Sequence, residues 1–299
     1  MSPFKHLLAA TDLSAPARHA AERAAMLARE AGATLDLIHV ASLAPLEKLR
    51  RLVVALPEAL EQQMVEAARN AIQELADSLR QRYGIAADFH VASGPVPTEI
   101  VRRADVLPAD LIVLGAHGAG FLRHALLGST AERMIGSAGK PILVVKQAAH
   151  EGYRKLLVPV DFSVSSLPAV RLARAIAPDA TLVLLHVFEV PFEGKLRYAG
   201  VDRDTIDFYL NAARQDAQQR MQDLCDEAGL AQEAVFSMVL HGDPLPHIIE
   251  QEQEHDCDLI VMGKHGESTL EKLLLGSVTR HVLAESQCDV LVSMEEGAT

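Results

Sequence analysis

The stretch ADLIVLGAHG at residues 109–118 recurs as CDLIVMGKHG at 257–266, 148 residues further along the chain. A continuous apolar run of strand length that ends on glycine, with a second glycine three residues later, reads as a buried strand feeding a tight loop. Working outward, the same displacement persists. FKHLLAATD at 4–12 returns as YRKLLVPVD at 153–161, and TLDLIHV at 34–40 as TLVLLHV at 181–187. LLGS at 126–129 returns as LLGS at 274–277, and KPILVVK at 140–146 as CDVLVSM at 288–294. An offset that holds between 147 and 149 across the whole half marks a duplicated domain and not a shared short motif. The reading is therefore one domain over residues 1–149 and a second over 150–299, joined by the polar connector 147–152.

Each copy alternates strand and helix. In the first, strands are expected at Lys5–Ala10, Thr34–Val40, Ala87–Ala92, Leu111–Leu114 and Ile142–Val145. Helices are expected at Ala15–Ala31, stopped by Gly32, at Pro57–Tyr83, stopped by Gly84, at Pro97–Leu107 and at Thr130–Ser137. Ser129 with Glu132 has the spacing of a capping box. The second copy repeats the pattern, with an additional stretch at Pro191–Asp204 before its long helix. Apolar strands separated by helices predict an α/β fold: two repeated doubly wound domains, each a five-stranded parallel sheet with helices on both faces. In such sheets ligands bind beyond the carboxyl ends of the strands, so the residues to weigh are those that follow each strand.

Composition narrows the function. The chain of 299 residues is 49% hydrophobic and 23% charged, which excludes disorder and collagen-like structure. It has no Trp and a net charge of −12, unfavourable for capturing a phosphate backbone, so no nucleic-acid partner is expected. The charge is uneven: residues 1–149 carry 16 basic and 15 acidic side chains, residues 150–299 carry 12 and 25. No apolar window approaches the roughly 18 residues of a membrane helix. The run His6–Ala10 is too short for a signal-peptide core. A cytoplasmic protein without a membrane partner is expected. Cys225, Cys257 and Cys288 form no CxxC and no zinc spacing, and read as reduced, buried thiols.

The loop after the fourth strand carries the chemistry. Gly115 and Gly118 are followed, nine residues on, by Gly128-Ser129; Gly263 and Gly266 are followed at the same spacing by Gly276-Ser277. Glycines let a backbone approach an anion closely and turn its N–H groups toward it. The helix opening after Gly128 adds free N–H groups and a positive dipole end. P-loop and GxGxxG patterns fail here: Gly139-Lys140 runs into Pro141, and Gly118-Ala119-Gly120 into Phe121. No HExxH, GxSxG or EF-hand pattern occurs, so neither catalytic nor metal residues are assigned.

With those residues in view, the sequence resembles the universal stress protein family in its tandem two-domain form. The family's nucleotide-binding signature is G-x2-G-x9-G-[ST], matched in full by both copies, and the aspartate ending its first strand is present as Asp12 and Asp161. The resemblance covers nearly the whole chain. It implies that Val40 and Val187 present backbone groups to adenine, and that Asp12 and Asp161 sit near ribose and phosphates, helping to place Mg²⁺. It implies a phosphate cradle from Gly115, Gly118, Gly128, Ser129 and Thr130, and a second from Gly263, Gly266, Gly276, Ser277 and Val278. His117 and His265 lie inside the loops, within reach of phosphate or ribose. The implied protein is a stress-response regulator that binds ATP or a related adenine nucleotide in one or both clefts, with at most slow hydrolysis. The competing reading is an interaction or chaperone-like scaffold whose clefts hold another metabolite or nothing.

Competing readings attach to single residues. Asp12 precedes a helix and suits a turn or cap. His39 and His186 occupy equivalent strand positions and read as satisfied crevice histidines; Met64 and Met134 read as core filler. Glu250, Glu252, Glu254 and Asp256 read as a solvated helix face. Family dimers pair through the last strand, so Ile142–Val145 and Val290–Ser293 are expected to meet within one chain as an intramolecular pseudo-dimer. Homodimerisation and a protein partner stay open.

Overall fold

The computed structural model describes residues 4–41, 58–118, 127–190, 193–231, 235–264 and 275–294. The chain divides into two compact units, Met1–Gly152 with Asp289–Thr299, and Tyr153–Cys288.

The first unit runs β1 (His6–Ala10), α1 (Ala15–Ala31), β2 (Thr34–Ala41), α2 (Glu58–Tyr83), β3 (Ala87–Ser93), α3 (Val96–Val106), β4 (Leu111–Gly115), α4 (Ser129–Ser137) and β5 (Ile142–Val145). Its strands lie in the order β3-β2-β1-β4-β5, all parallel. The sequence reversal falls between β1 and β4, where Leu7 pairs with Leu111. That is the switch point at which a crevice opens beyond the strand ends. Leu7, Leu8, Leu111, Ile112, Val113 and Leu143 are buried almost completely, as both-faced coverage by helices requires. Alanines do the close packing on α1: Ala17, Ala20, Ala21, Ala24, Ala25 and Ala28 are buried, and their small side chains bring the helix near β1 and β4. Ser14 caps α1, accepting from Ala17 N, and Gly32 at φ 66° ends it in the left-handed conformation that glycine favours.

The second unit repeats the plan with β6 (Lys155–Pro159), α5 (Ser166–Ile176), β7 (Thr181–Phe188), α6 (Glu193–Tyr198), α7 (Arg203–Glu227), β8 (Val235–His241), α8 (Pro244–Glu254), β9 (Leu259–Gly263) and α9 (Ser277–Glu285). Its parallel order is β9-β6-β7-β8. The additional stretch before the long helix holds the short α6, after which Asp202 caps α7 by accepting from Thr205 N at 2.8 Å. The last strand, β10 (Asp289–Ser293), groups with the first unit and pairs antiparallel with β5, Leu291 opposite Leu143. The expected meeting of Ile142–Val145 with Val290–Ser293 is thus present in the structure.

Two expectations are corrected. The capping box at Ser129 does not form: the N-cap of α4 is Gly128, so Ser129 is already the first helical residue, and no side chain of the described residues caps the helix. Having started one residue early, the hydroxyl sits inside the first turn and cannot reach back over it. The acidic run on α8 is not wholly solvated. Glu252 is 3% exposed and accepts from Gln287 N and Cys288 N, each at 2.7 Å, tying α8 to the segment that leads into β10. Its neighbours Glu250, Glu254 and Asp256 are on the surface. Met134 is fully buried, as core filler should be, while Met64 is half-buried.

Candidate functional site

Beyond the carboxyl end of β1 the chain turns sharply. Thr11 N is held by Ile38 O at 2.9 Å, Asp12 Oδ1 accepts from Ser14 N at 3.0 Å, and Leu13 between them is at φ 68°. The second unit builds the same corner. Val160 N donates to Leu185 O at 2.8 Å, Asp161 Oδ1 accepts from Ser163 N and Ser166 Oγ, each at 3.0 Å, and Phe162 is at φ 61°. A left-handed non-glycine residue is strained, and here the strain recurs after both aspartates. The turn role of Asp12 and its place beside the glycine loop therefore coexist. His39 Nδ1 lies 2.8 Å from Thr11 O and His186 Nδ1 2.8 Å from Val160 O, each half-buried. They are satisfied crevice histidines, as expected.

The glycines are required by close approach. A Cβ on Gly115 would lie 3.2 Å from the Pro16 carbonyl group, one on Gly118 2.5 Å from Asp12 Oδ2, and one on Gly128 2.9 Å from Ala116 O. Gly128 N donates to that same Ala116 O at 2.8 Å, which folds the start of α4 back against the end of β4. Gly276 N donates to Lys264 O at 3.1 Å in the second unit. Among the described residues, helices α4 and α9 both start on glycine caps without a side-chain bond, an arrangement that presents their first N–H groups to an acceptor. In the first unit Asp12, Gly115, His117, Gly118, Gly128, Ser129 and Thr130 thus follow β1 and β4 or open α4, and Val40 stands near the end of β2, opposite Ala92.

In the second unit the gathering is explicit. Asp161, Val187, Gly263, Gly276, Ser277 and Val278 all line one cleft of about 740 Å³. His265 and Gly266 lie outside the described residues, as does Arg123. The same cleft is lined by Arg220, Asp216, Glu189 and Asp243. The Arg220 guanidinium lies 4.5 Å from the centroid of the Phe162 ring, whose other neighbour is the His186 ring at 4.2 Å. No sequence motif flagged these residues. A signal was present, however. Gly84 and Gly229 end the long helices at φ 73° and 65°, and counting back nine residues from each sets Arg220 against the buried Leu75, while one step past the matching Asp161 and Asp12 sets Phe162 against Leu13. An arginine where the sister repeat keeps a core leucine is the mark of a diverged cleft.

Among the described residues no group of three or more His, Cys, Asp or Glu is placed to hold a metal. No helix of the described residues is long and apolar enough to cross a membrane. Burial pushes the Cys257 thiol up to about 12, and Cys288 is also buried, so neither is placed for nucleophilic work.

The sequence profile of the universal stress protein family matches residues 3–146 and again 152–293. The chain belongs to the universal stress protein family. Universal stress protein MJ0531 of Methanocaldococcus jannaschii is 35% identical over 143 residues, 47% of this chain and 81% of its own. A crystal structure of a universal stress protein from Archaeoglobus fulgidus covers 97% of this chain and 98% of its own at a TM-score of 0.70 and 20% identity, which establishes the shared fold. A universal stress protein solved in complex with cAMP is 29% identical and covers 48% of this chain and 98% of its own, with a TM-score of 0.32. The profile match and the Archaeoglobus fulgidus structure both run over the two repeats, so the chain is a tandem universal stress protein of α/β fold.

Proposed function

We propose that this universal stress protein is a cytoplasmic stress-response regulator that binds an adenine nucleotide, ATP with Mg²⁺, in the clefts beyond its strand ends. The observation that carries the reading is the convergence of Asp161, Val187, Gly263, Gly276, Ser277 and Val278 on one cleft of about 740 Å³. That volume is within the usual range for small-ligand sites. The residues fit the ligand: Gly115, Gly118 and Gly128 sit where a Cβ would be crowded, and the glycine-capped starts of α4 and α9 offer N–H groups to phosphate oxygens. Ser129 and Ser277, as first helical residues, add hydroxyls at the same place. Val40 and Val187 would offer backbone groups to the base, and Asp12 and Asp161 would face the ribose and the metal-bound phosphates.

Mg²⁺ has a physical reason to accompany the nucleotide. Asp161, Glu189, Asp216 and Asp243 line the second cleft against the guanidinium of Arg220, so a bare polyphosphate would meet net repulsion from these described residues. When bound, the metal neutralises phosphate charge. Phosphoryl transfer needs positioned charge and an oriented nucleophile. Among the described residues the cleft sets one guanidinium, Arg220, against four carboxylates, so slow hydrolysis at most is expected.

Isothermal titration of the purified chain with Mg²⁺ and ATP, ADP, AMP or cAMP tests the reading. Saturable binding is expected, and its absence at millimolar nucleotide would sink it. The replacement of Leu13 and Leu75 by Phe162 and Arg220 favours a second reading, in which the second cleft takes a different metabolite. Mass spectrometry of what copurifies separates the two.

A further inference from the structure

The edge of β5 is apolar and undiscriminating: Ile142, Leu143 and Val144 meet Val292, Leu291 and Val290 of β10. By the same hydrogen-bond pattern β5 could accept the β5 strand of a second copy in an antiparallel, two-fold arrangement. What separates the two partners is charge. Asp289, 1% exposed, opens β10 and places Oδ2 3.3 Å from Arg23 Nε, whose side chain is 8% exposed. Asp289 Oδ1 also accepts from Lys146 N at 2.8 Å and Gln147 N at 3.3 Å, and Arg23 Nη1 donates to Glu151 O at 2.7 Å.

The repeat supplies the comparison. The position equivalent to Asp289 in the first copy is Pro141. Helices α1 and α5 align through their buried faces, Ala17 with Ser166, Ala20 with Ala169, Ala21 with Val170, Ala24 with Ala173 and Ala28 with Ala177. That alignment sets Arg23 against Leu172. A second copy's β5 docked on β5 would bring Pro141 where Asp289 now stands. The buried guanidinium and the two backbone N–H groups would lose this carboxylate, and Pro141 carries no side-chain acceptor to replace it. Removing one partner of a buried ion pair is strongly unfavourable. We propose that the buried Arg23–Asp289 pair is a pairing key, which admits the chain's own C-terminal strand to β5 and excludes the β5 edge of a second copy. A buried polar group that specifies pairing at the expense of apolar packing is a known device for choosing partners.

The test uses the full chain. Arg23→Leu and Asp289→Leu, made singly, each break the buried pair, and amide exchange in β10 should quicken by about 100-fold or more relative to wild type. The double variant R23L/D289L removes both charges and with them the discrimination. It should regain part of the β10 protection lost in the single variants, the acceptor of Lys146 N and Gln147 N being gone, yet form cross-chain complexes, seen by light scattering and by native mass spectrometry of mixed isotope-labelled chains, at least about tenfold above the wild-type level at equal concentration. A double variant with the wild-type mass distribution overturns the proposal, as do single variants whose β10 amides exchange no faster. Should R23L unfold outright, Arg23→Lys decides. It keeps the charge, so wild-type-like β10 protection supports the key, and a collapse as deep as that of R23L counts against it.

Discussion

Gly118 and Gly128 both lack room for a methyl group, but against different neighbours, and the difference predicts unequal outcomes for the same substitution. In Gly118→Ala the new Cβ would start 2.5 Å from Asp12 Oδ2, the far end of an exposed side chain. The carboxylate can retreat by about half an ångström or more, at the expense of its hydrogen bond from Ser14 N, an exposed bond worth about 1 kcal/mol. In Gly128→Ala the Cβ would start 2.9 Å from Ala116 O. That oxygen is backbone, already bonded to Gly128 N, and its own residue is anchored by Ala116 N to Val145 O at 2.8 Å. It cannot retreat without moving β4, so overpacking of about 2 kcal/mol is expected. At about 2–4 °C per kcal/mol, thermal unfolding followed by circular dichroism should fall about 2–4 °C for G118A and about 4–8 °C for G128A. Nucleotide affinity should reverse the ranking per unit of stability lost: G118A displaces Asp12 and should weaken ATP binding about tenfold, roughly 1.4 kcal/mol. A G118A protein less stable than G128A, or one that binds ATP as tightly as wild type with Asp12 displaced, would refute the argument.

Other outcomes follow from the same geometry. Arg220→Leu, which restores the first repeat's residue type, should leave unfolding within about 0.5 kcal/mol of wild type and change nucleotide affinity at one of two sites, read by titration. Cys257, with its thiol pushed up to about 12, should hold only about one part in 10⁴ thiolate at pH 8 and resist iodoacetamide in the native state, checked by peptide mass mapping. Glu252→Ala removes the acceptor of two backbone N–H groups and should destabilise by about 2–3 kcal/mol in urea titration, a size an exposed glutamate would never show.

The fold was legible because duplication wrote it twice. Strand runs such as LIVLG and LIVMG are apolar throughout, the pattern of a sheet covered on both faces, and Gly32 and Gly84 punctuate their helices at the left-handed positions found in the structure. The loop glycines were legible for the same reason: their spacing is identical in both copies. What escaped the sequence depended on tertiary neighbours. Glu252 reads as one of four acids on a polar helix, and only the approach of Gln287 and Cys288 shows it buried. Ser129 has capping-box spacing, yet the bond from Gly128 N to Ala116 O pulls the helix start one residue earlier. Arg220 is far in sequence from Phe162, and no local period connects them.

The return of β10 to the first unit has a consequence for synthesis. Val145 and Asp289 are separated by 144 residues, so a nascent first repeat is complete in every strand except the one that covers its edge. At about 5–20 residues per second, the ribosome leaves the β5 edge without its strand for roughly 7–30 s. For that interval every polysome holds a row of like apolar edges close together, each waiting for a strand that has not been made. A truncated message or a stalled ribosome would make the interval permanent.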